Sequence, residues 1–151
     1  MANFNDKSKK ELYTCEEDLQ DLFNIVVENY DCTILQGHRS VKEQQELYEK
    51  GASKVKDSKH NHKPSKAVDV SPYPIPDNWG KVSWGLIANK EDREEIKRQV
   101  KELHKFYHFA GYVKGVADTR NIPITCGADW DDDNSFIDQT FDDLIHFESK
   151  S

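Results

Sequence analysis

At 151 residues the chain has the length of one domain, enough to bury roughly two-thirds of the surface its unfolded form exposes. Hydrophobic residues make up 36% and charged residues 32%, which excludes a disordered polymer, and no apolar run approaches the roughly 18 residues of a membrane span. A net charge of -7 excludes the basic footprint of a nucleic-acid binder.

In chain order, Leu12, Leu19, Leu22, Phe23, Val26 and Val27 recur at helical spacing and predict one amphipathic helix over residues 9–29. Thr33-Ile34-Leu35 is a short β-prone run that Gly37 breaks. Ser40 can cap a second helix, with Glu43 three positions on, and Gly51 stops it. Residues 52–64 form a lysine-rich polar loop, and the basic run Lys54–Lys66 reads as a mobile flap beside a site or a solvated loop. A strand is expected at residues 67–70, ended by Pro72, Pro74 and Pro76, whose missing N–H groups make residues 71–80 irregular. Ile96, Val100, Leu103, Phe106, Phe109 and Ala110 predict a long helix stopping at Gly111. Two more strands are expected at residues 122–125 and 144–147, with an acidic loop between them. Without repeats or a linker, residues 1–151 read as a single α+β domain, a small antiparallel sheet packed by amphipathic helices.

Three cysteines, Cys15, Cys32 and Cys126, are odd in number and widely spaced, so they read as buried free thiols rather than a disulfide framework. Residues 1–11 are polar and lack a hydrophobic signal core, which implies synthesis in a cytoplasm without an export signal.

Chemistry concentrates in two places. Ser58-Lys59-His60-Asn61-His62 precedes the strand that carries Asp69, and Asp143-Leu144-Ile145-His146-Phe147-Glu148 lies near the C-terminus. Two imidazoles and a carboxylate from separate elements suit zinc, and three protein ligands leave a position open for reactive water. Asp143 stands where a general base for that water could sit. Glu148, two residues past His146 on the same strand face, could hold the other imidazole nitrogen. Taken singly, each histidine reads more readily as a hydrogen-bonded surface or core residue. Asp129, Asp131, Asp132 and Asp133 invite a calcium reading, but the loop lacks the full EF-hand pattern and a solvated acidic loop is expected. His104 and His108 read as helix-face residues, and Trp79, Trp84 and Trp130 as core or groove wall.

Together, Gln36-Gly37-His38-Arg39-Ser40, Ser58-Lys59-His60, Ala67-Val68-Asp69 and Asp143-x-x-His146 resemble, in content and order, the D-alanyl-D-alanine carboxypeptidases and L-alanyl-D-glutamate peptidases. These are lysostaphin/hedgehog-type zinc peptidases, and the likeness is nearest to small phage endolysins. Gly127-Ala128-Asp129-Trp130 and Pro72-Tyr73-Pro74 add to it, and the resemblance spans residues 12–148. It implies a hedgehog/D-Ala-D-Ala-peptidase-like fold with His60, Asp69 and His146 on zinc, Asp143 as catalytic base and Arg39 stabilising the polarised carbonyl. One departure matters: the family's usual spacing of seven positions from His to Asp fits His62, whereas the Ser-x-His element selects His60, nine positions before Asp69. The resemblance favours His60 and leaves His62 as the rival.

The implied function is hydrolysis of the L-Ala–D-Glu bond in peptidoglycan stem peptides. The alternatives are D-Ala-D-Ala carboxypeptidase activity and a noncatalytic, zinc-containing wall-binding module. The implied partner is the stem peptide, met by a monomer, with no nucleic acid and no membrane insertion. A separate membrane lesion, or carriage on a virion, would bring the protein to the wall.

Overall fold

A computed structural model describes residues 2–75 and 93–150. Helices α1 (Asp6–Leu12), α2 (Glu17–Asn29), α3 (Val41–Glu49) and α4 (Arg93–Arg120) surround strands β1 (Cys32–Gln36), β2 (Ala67–Pro72), β3 (Ile124–Cys126) and β4 (His146–Ser149). The four strands form one antiparallel sheet in the order β1-β2-β4-β3, the expected α+β class.

Two-residue alternation assigns the faces. Val68 pairs with Phe147, and both are fully buried against the helices. Asp69 pairs with His146 one step along, on the opposite face. On the helix side Phe147 meets Phe23 of α2 edge-on at 5.3 Å and Phe109 of α4 at 6.0 Å. Truncating Phe147 to alanine would cost about 3–5 kcal/mol at such a site. The core therefore lies wholly behind the sheet, leaving the other face for chemistry.

The single helix expected over residues 9–29 is two helices. Hydrophobic spacing runs unbroken from Leu12 to Leu19, but the backbone between them pairs elsewhere. Ser65 N donates to Thr14 O at 2.8 Å, and Glu16 N donates to Ser65 O at 2.8 Å. That bridge pulls residues 13–16 out of helical geometry. The freed α1 covers the outer edge of β1, where Ile34 N donates to Ser8 Oγ at 3.1 Å and Gly37 N to Glu11 Oε2 at 2.9 Å. Gly37 is required by closeness: a methyl there would sit 2.2 Å from Glu11 O.

The long helix does not stop at Gly111. It continues to Arg120, because Val113 and Ala117 extend the buried stripe past Gly111 and Gly115. Each mid-helix glycine costs about 1 kcal/mol against alanine, less than that burial returns. Strand β2 also runs two residues beyond expectation, through Ser71 to Pro72. Tyr73 N donates to Asp31 O at 3.0 Å, so the missing N–H of Pro72, one residue out of phase, points away from β1. Strands β3 and β4 each begin two residues later than expected, at Ile124 and His146. Ser40 Oγ caps α3 by accepting the Glu43 amide at 3.1 Å, and Gly51 closes it with φ 74°. All three cysteines are free and buried. Residues 76–80 of the expected irregular stretch, with Trp79 and Trp84, lie outside the described residues. No helix among the described residues is long and apolar enough to cross a membrane.

Candidate active site

The register of the sheet lines up the site. Gln36 of β1 pairs with Asp69 of β2, and Asp69 pairs with His146 of β4, across three adjacent strands. His60 arrives from a single 3₁₀ turn, Lys59–Asn61, capped by Ser58 and Asn61 in a reciprocal box. Arg39 N donates to His60 O at 2.9 Å and ties this turn to the end of β1. The structure thus brings His60, Asp69 and His146 together as a buried group whose ligand atoms lie within 4.8 Å of one another. His62 ends the turn, is exposed and stands outside this group.

Each imidazole is held from behind. His60 Nδ1 donates to Gly37 O at 2.7 Å, leaving Nε2 3.2 Å from Asp69 Oδ1. His146 Nε2 lies 3.0 Å from Glu148 Oε2, leaving Nδ1 3.3 Å from the same Asp69 oxygen. Glu148 is anchored in turn by Lys59, 3.2 Å away. Outer contacts of this kind orient metal-binding histidines. Two ligands each about 2.1 Å from a tetrahedral ion stand about 3.4 Å apart, close to the spacing between Asp69 and either imidazole. The donor set therefore fits a metal ion of zinc's size and preference.

Electrostatics follow from these contacts. Burial alone would raise the carboxyl pKa of Asp69, but hydrogen bonds from His146 and His60 outweigh it and hold it far below the usual range. Burial disfavours charge on His146, yet Asp69 and Glu148 together push it up to about 9. Asp143 is raised above the ordinary carboxylate value, first by burial and then by the charge of Asp69. A raised carboxylate pKa is better matched to proton transfer near neutral pH.

Asp143 lines the same groove, just before β4, and its position depends on a glycine. Asp143 N donates to Gly127 O at 2.9 Å and Gly127 N to His146 O at 2.7 Å. A methyl on Gly127 would lie 2.2 Å from Asp143 O. Arg39 is no surface residue. Its side chain is 11% exposed, its NH2 lies 3.6 Å from Asp69 Oδ2, and Gln36 Oε1 accepts from Nε at 2.9 Å. Gln44, fully buried in α3, accepts from Arg39 NH1 at 2.7 Å. Sequence reasoning gave no role to Gln36, which lies within a quoted motif, or to Gln44. Only its position three residues before Leu47, on one face of a polar helix, hinted at burial of Gln44.

The groove, about 790 Å³, runs between the loop after α3 and the loop before β4. Trp130 forms its wall, stacked on Phe141 at 6.3 Å and tilted over the His146 ring at 5.4 Å. The acidic loop that carries Trp130 is not simply solvated. Asp129 is fully buried, paired with Lys114 of α4, and accepts the amides of Asp133 and Asn134 at 3.2 and 3.0 Å. Its carboxylate is thus engaged from within, though it stands within 4.8 Å of those of Asp131 and Asp133. His104 and His108 stack on each other on α4 and stand apart from the groove residues, as expected of a helix face.

A family model described as phage L-alanyl-D-glutamate peptidase matches residues 1–149. The chain belongs to that family. An L-alanyl-D-glutamate peptidase of Escherichia phage T5 is 29% identical over 140 residues, which cover 90% of this chain and 87% of that protein. The crystal structure of Serratia marcescens L-Ala D-Glu endopeptidase ChiX superposes with a TM-score of 0.63 at 20% identity, covering 98% of this chain and 90% of that one. That likeness speaks for the fold, and the family match for the peptidase class. The expected α+β architecture and the expected family therefore both hold.

Proposed function

We propose that this L-alanyl-D-glutamate peptidase is a zinc enzyme that cuts the L-Ala–D-Glu bond of peptidoglycan stems, with His60, Asp69 and His146 as ligands. The observation that carries the reading is the convergence of three buried N and O donors, each backed by a second partner, at the floor of a groove that also holds Asp143. Bound there, zinc would supply Lewis-acid polarisation of a water and of the scissile carbonyl.

The chain's own residues supply the rest. Asp143 takes the proton from the attacking water and returns it to the leaving D-Glu amine, and its raised pKa strengthens it as the base of the first transfer. Arg39, held by Gln36 and Gln44, offers its guanidinium to the developing oxyanion, a contribution commonly worth several kcal/mol. Gly37 O accepts from His60 Nδ1 and so turns Nε2 toward Asp69, the nitrogen a metal would take. Trp130 and Phe141 wall the groove and exclude water from one side. The stem peptide is the partner, and a monomer has every residue this mechanism uses.

Digestion of purified peptidoglycan, with mass spectrometry of the fragments, tests this. New L-Ala–D-Glu products that vanish with chelator and return with zinc are expected. Release of terminal D-Ala alone would move the reaction to a D,D-carboxypeptidase, and a folded, zinc-loaded protein without products would be a wall-binding module. Asp143→Ala should retain zinc and lose turnover; substantial remaining activity would remove Asp143 from the role of base.

A further inference from the structure

Among the described residues, the Arg and Lys side chains that line the groove are Arg39, Lys54 and Lys59. Two are committed, Arg39 to Asp69, Gln36 and Gln44, and Lys59 to Glu148 and the Ser149 carbonyl. Lys54 meets no carboxylate among the described residues. Its ammonium lies 4.6 Å from the centroid of the Phe141 ring, on the opposite wall. In a chain of net charge -7, an ammonium on the groove wall without a carboxylate partner is available to an anionic group of a bound ligand.

The loop that presents it is built. The buried Gln44 amide donates to Ser53 Oγ at 2.9 Å and to Val55 O at 2.7 Å, fastening the residues on either side of Lys54. The same Gln44 holds Arg39, so one buried side chain ties the Arg39 guanidinium to the backbone that carries Lys54. Lys54, Phe141 and Asp143 line the same groove, and Phe141 precedes Asp143 by two residues in the loop before β4. An exposed cation over an aromatic ring is weakly held, so a carboxylate can draw it away.

The leaving residue carries such a carboxylate. When the stem continues through the γ-carbonyl of D-glutamate, the α-carboxylate stays free, one carbon from the scissile nitrogen. We propose that Lys54 is a specificity-determining residue that binds this α-carboxylate and aligns the leaving amine. The proposal rests on the L-Ala–D-Glu reading above.

The test uses zinc-loaded full-length protein and two synthetic stem peptides that differ only at D-glutamate, one with a free α-carboxylate and one with an α-amide. Wild type should favour the acid in kcat/KM by about ten-fold, the size of one charge-assisted hydrogen bond. Lys54→Gln should bring the ratio to about one, Lys54→Arg should retain it, and rising salt should shrink it in wild type. A general loss of folding would lower both rates and leave the ratio standing. A ratio near one in wild type, or an unchanged ratio in Lys54→Gln, overturns the proposal. Failure of wild type to cut either peptide at L-Ala–D-Glu overturns the bond reading, and the proposal with it.

Discussion

Asp69 and His146 are direct partners across β2 and β4, and Asp69 Oδ1 lies 3.3 Å from His146 Nδ1. Residues 77 positions apart in the chain are thus set side by side by sheet register alone. A slip of one residue would send His146 into the core and bring Phe147 to the groove. The core pairing of Val68 with Phe147 therefore protects the site: the same register that buries the phenyl ring presents the imidazole.

If the three buried donors hold the metal, each of His60→Ala, Asp69→Ala and His146→Ala loses bound zinc on dialysis, read by atomic emission. His62→Ala retains it, since His62 is exposed and outside the group. Loss in His62→Ala with retention in His60→Ala would reverse the assignment.

Chelation should lower the thermal midpoint without unfolding the chain at room temperature. The Phe23–Phe109–Phe147 cluster lies on the opposite face of the sheet and does not need the ion. Free zinc at a thousand times its dissociation constant would restore about 4 kcal/mol by mass action. Circular dichroism melts across a zinc titration measure this, and a midpoint indifferent to zinc would count against binding to the folded state.

Two glycines should respond in opposite directions to alanine. Gly127→Ala drives a methyl into the Asp143 carbonyl, so it should cost about 1–3 kcal/mol and lower turnover by moving Asp143. Gly115→Ala meets nothing within 4 Å on a regular helix and should stabilise by about 0.5–1 kcal/mol with turnover unchanged. Denaturant unfolding and kcat of both variants decide it; a neutral Gly127→Ala would mean that the loop relaxes freely.

The Lys114–Asp129 pair should make stability depend on acid. Burial would raise the pKa of Asp129, but the bonds from Lys114 and from the Asn134 and Asp133 amides leave it below the ordinary 3.8. The unfolded chain then binds a proton first as pH falls, so this contribution is complete above 3.8 and is lost below it. Lys114→Met should remove that acid dependence and cost about 3 kcal/mol by leaving a buried carboxylate unpaired. Chemical denaturation at pH 7 and at pH 3 measures both effects; equal losses at the two values would contradict the pairing.

The sequence by itself determined the α+β class, the ends of α3, the apolar stripe of α2 and the order of the site motifs. These depend on neighbours close in the chain: periodic burial, a Ser40 cap, glycine and proline at turns. It also singled out Glu148 as a partner for His146, because two-residue alternation puts both on one strand face. In α4 it placed Val100 on the buried stripe, where the structure buries Gln99 and exposes Val100. Tertiary structure decided the rest, through contacts between distant segments. The break at residues 13–16 comes from pairing with Ser65, and the passage of α4 through Gly111 comes from burial of Val113 and Ala117. Two motif rules pointed at two histidines, and position alone distinguishes them: the 3₁₀ turn buries His60 beside Asp69 and leaves His62 in solvent. Helical phase hinted at burial of Gln44 and a basic run contained Lys54, but their partners are brought to them only by the folded chain.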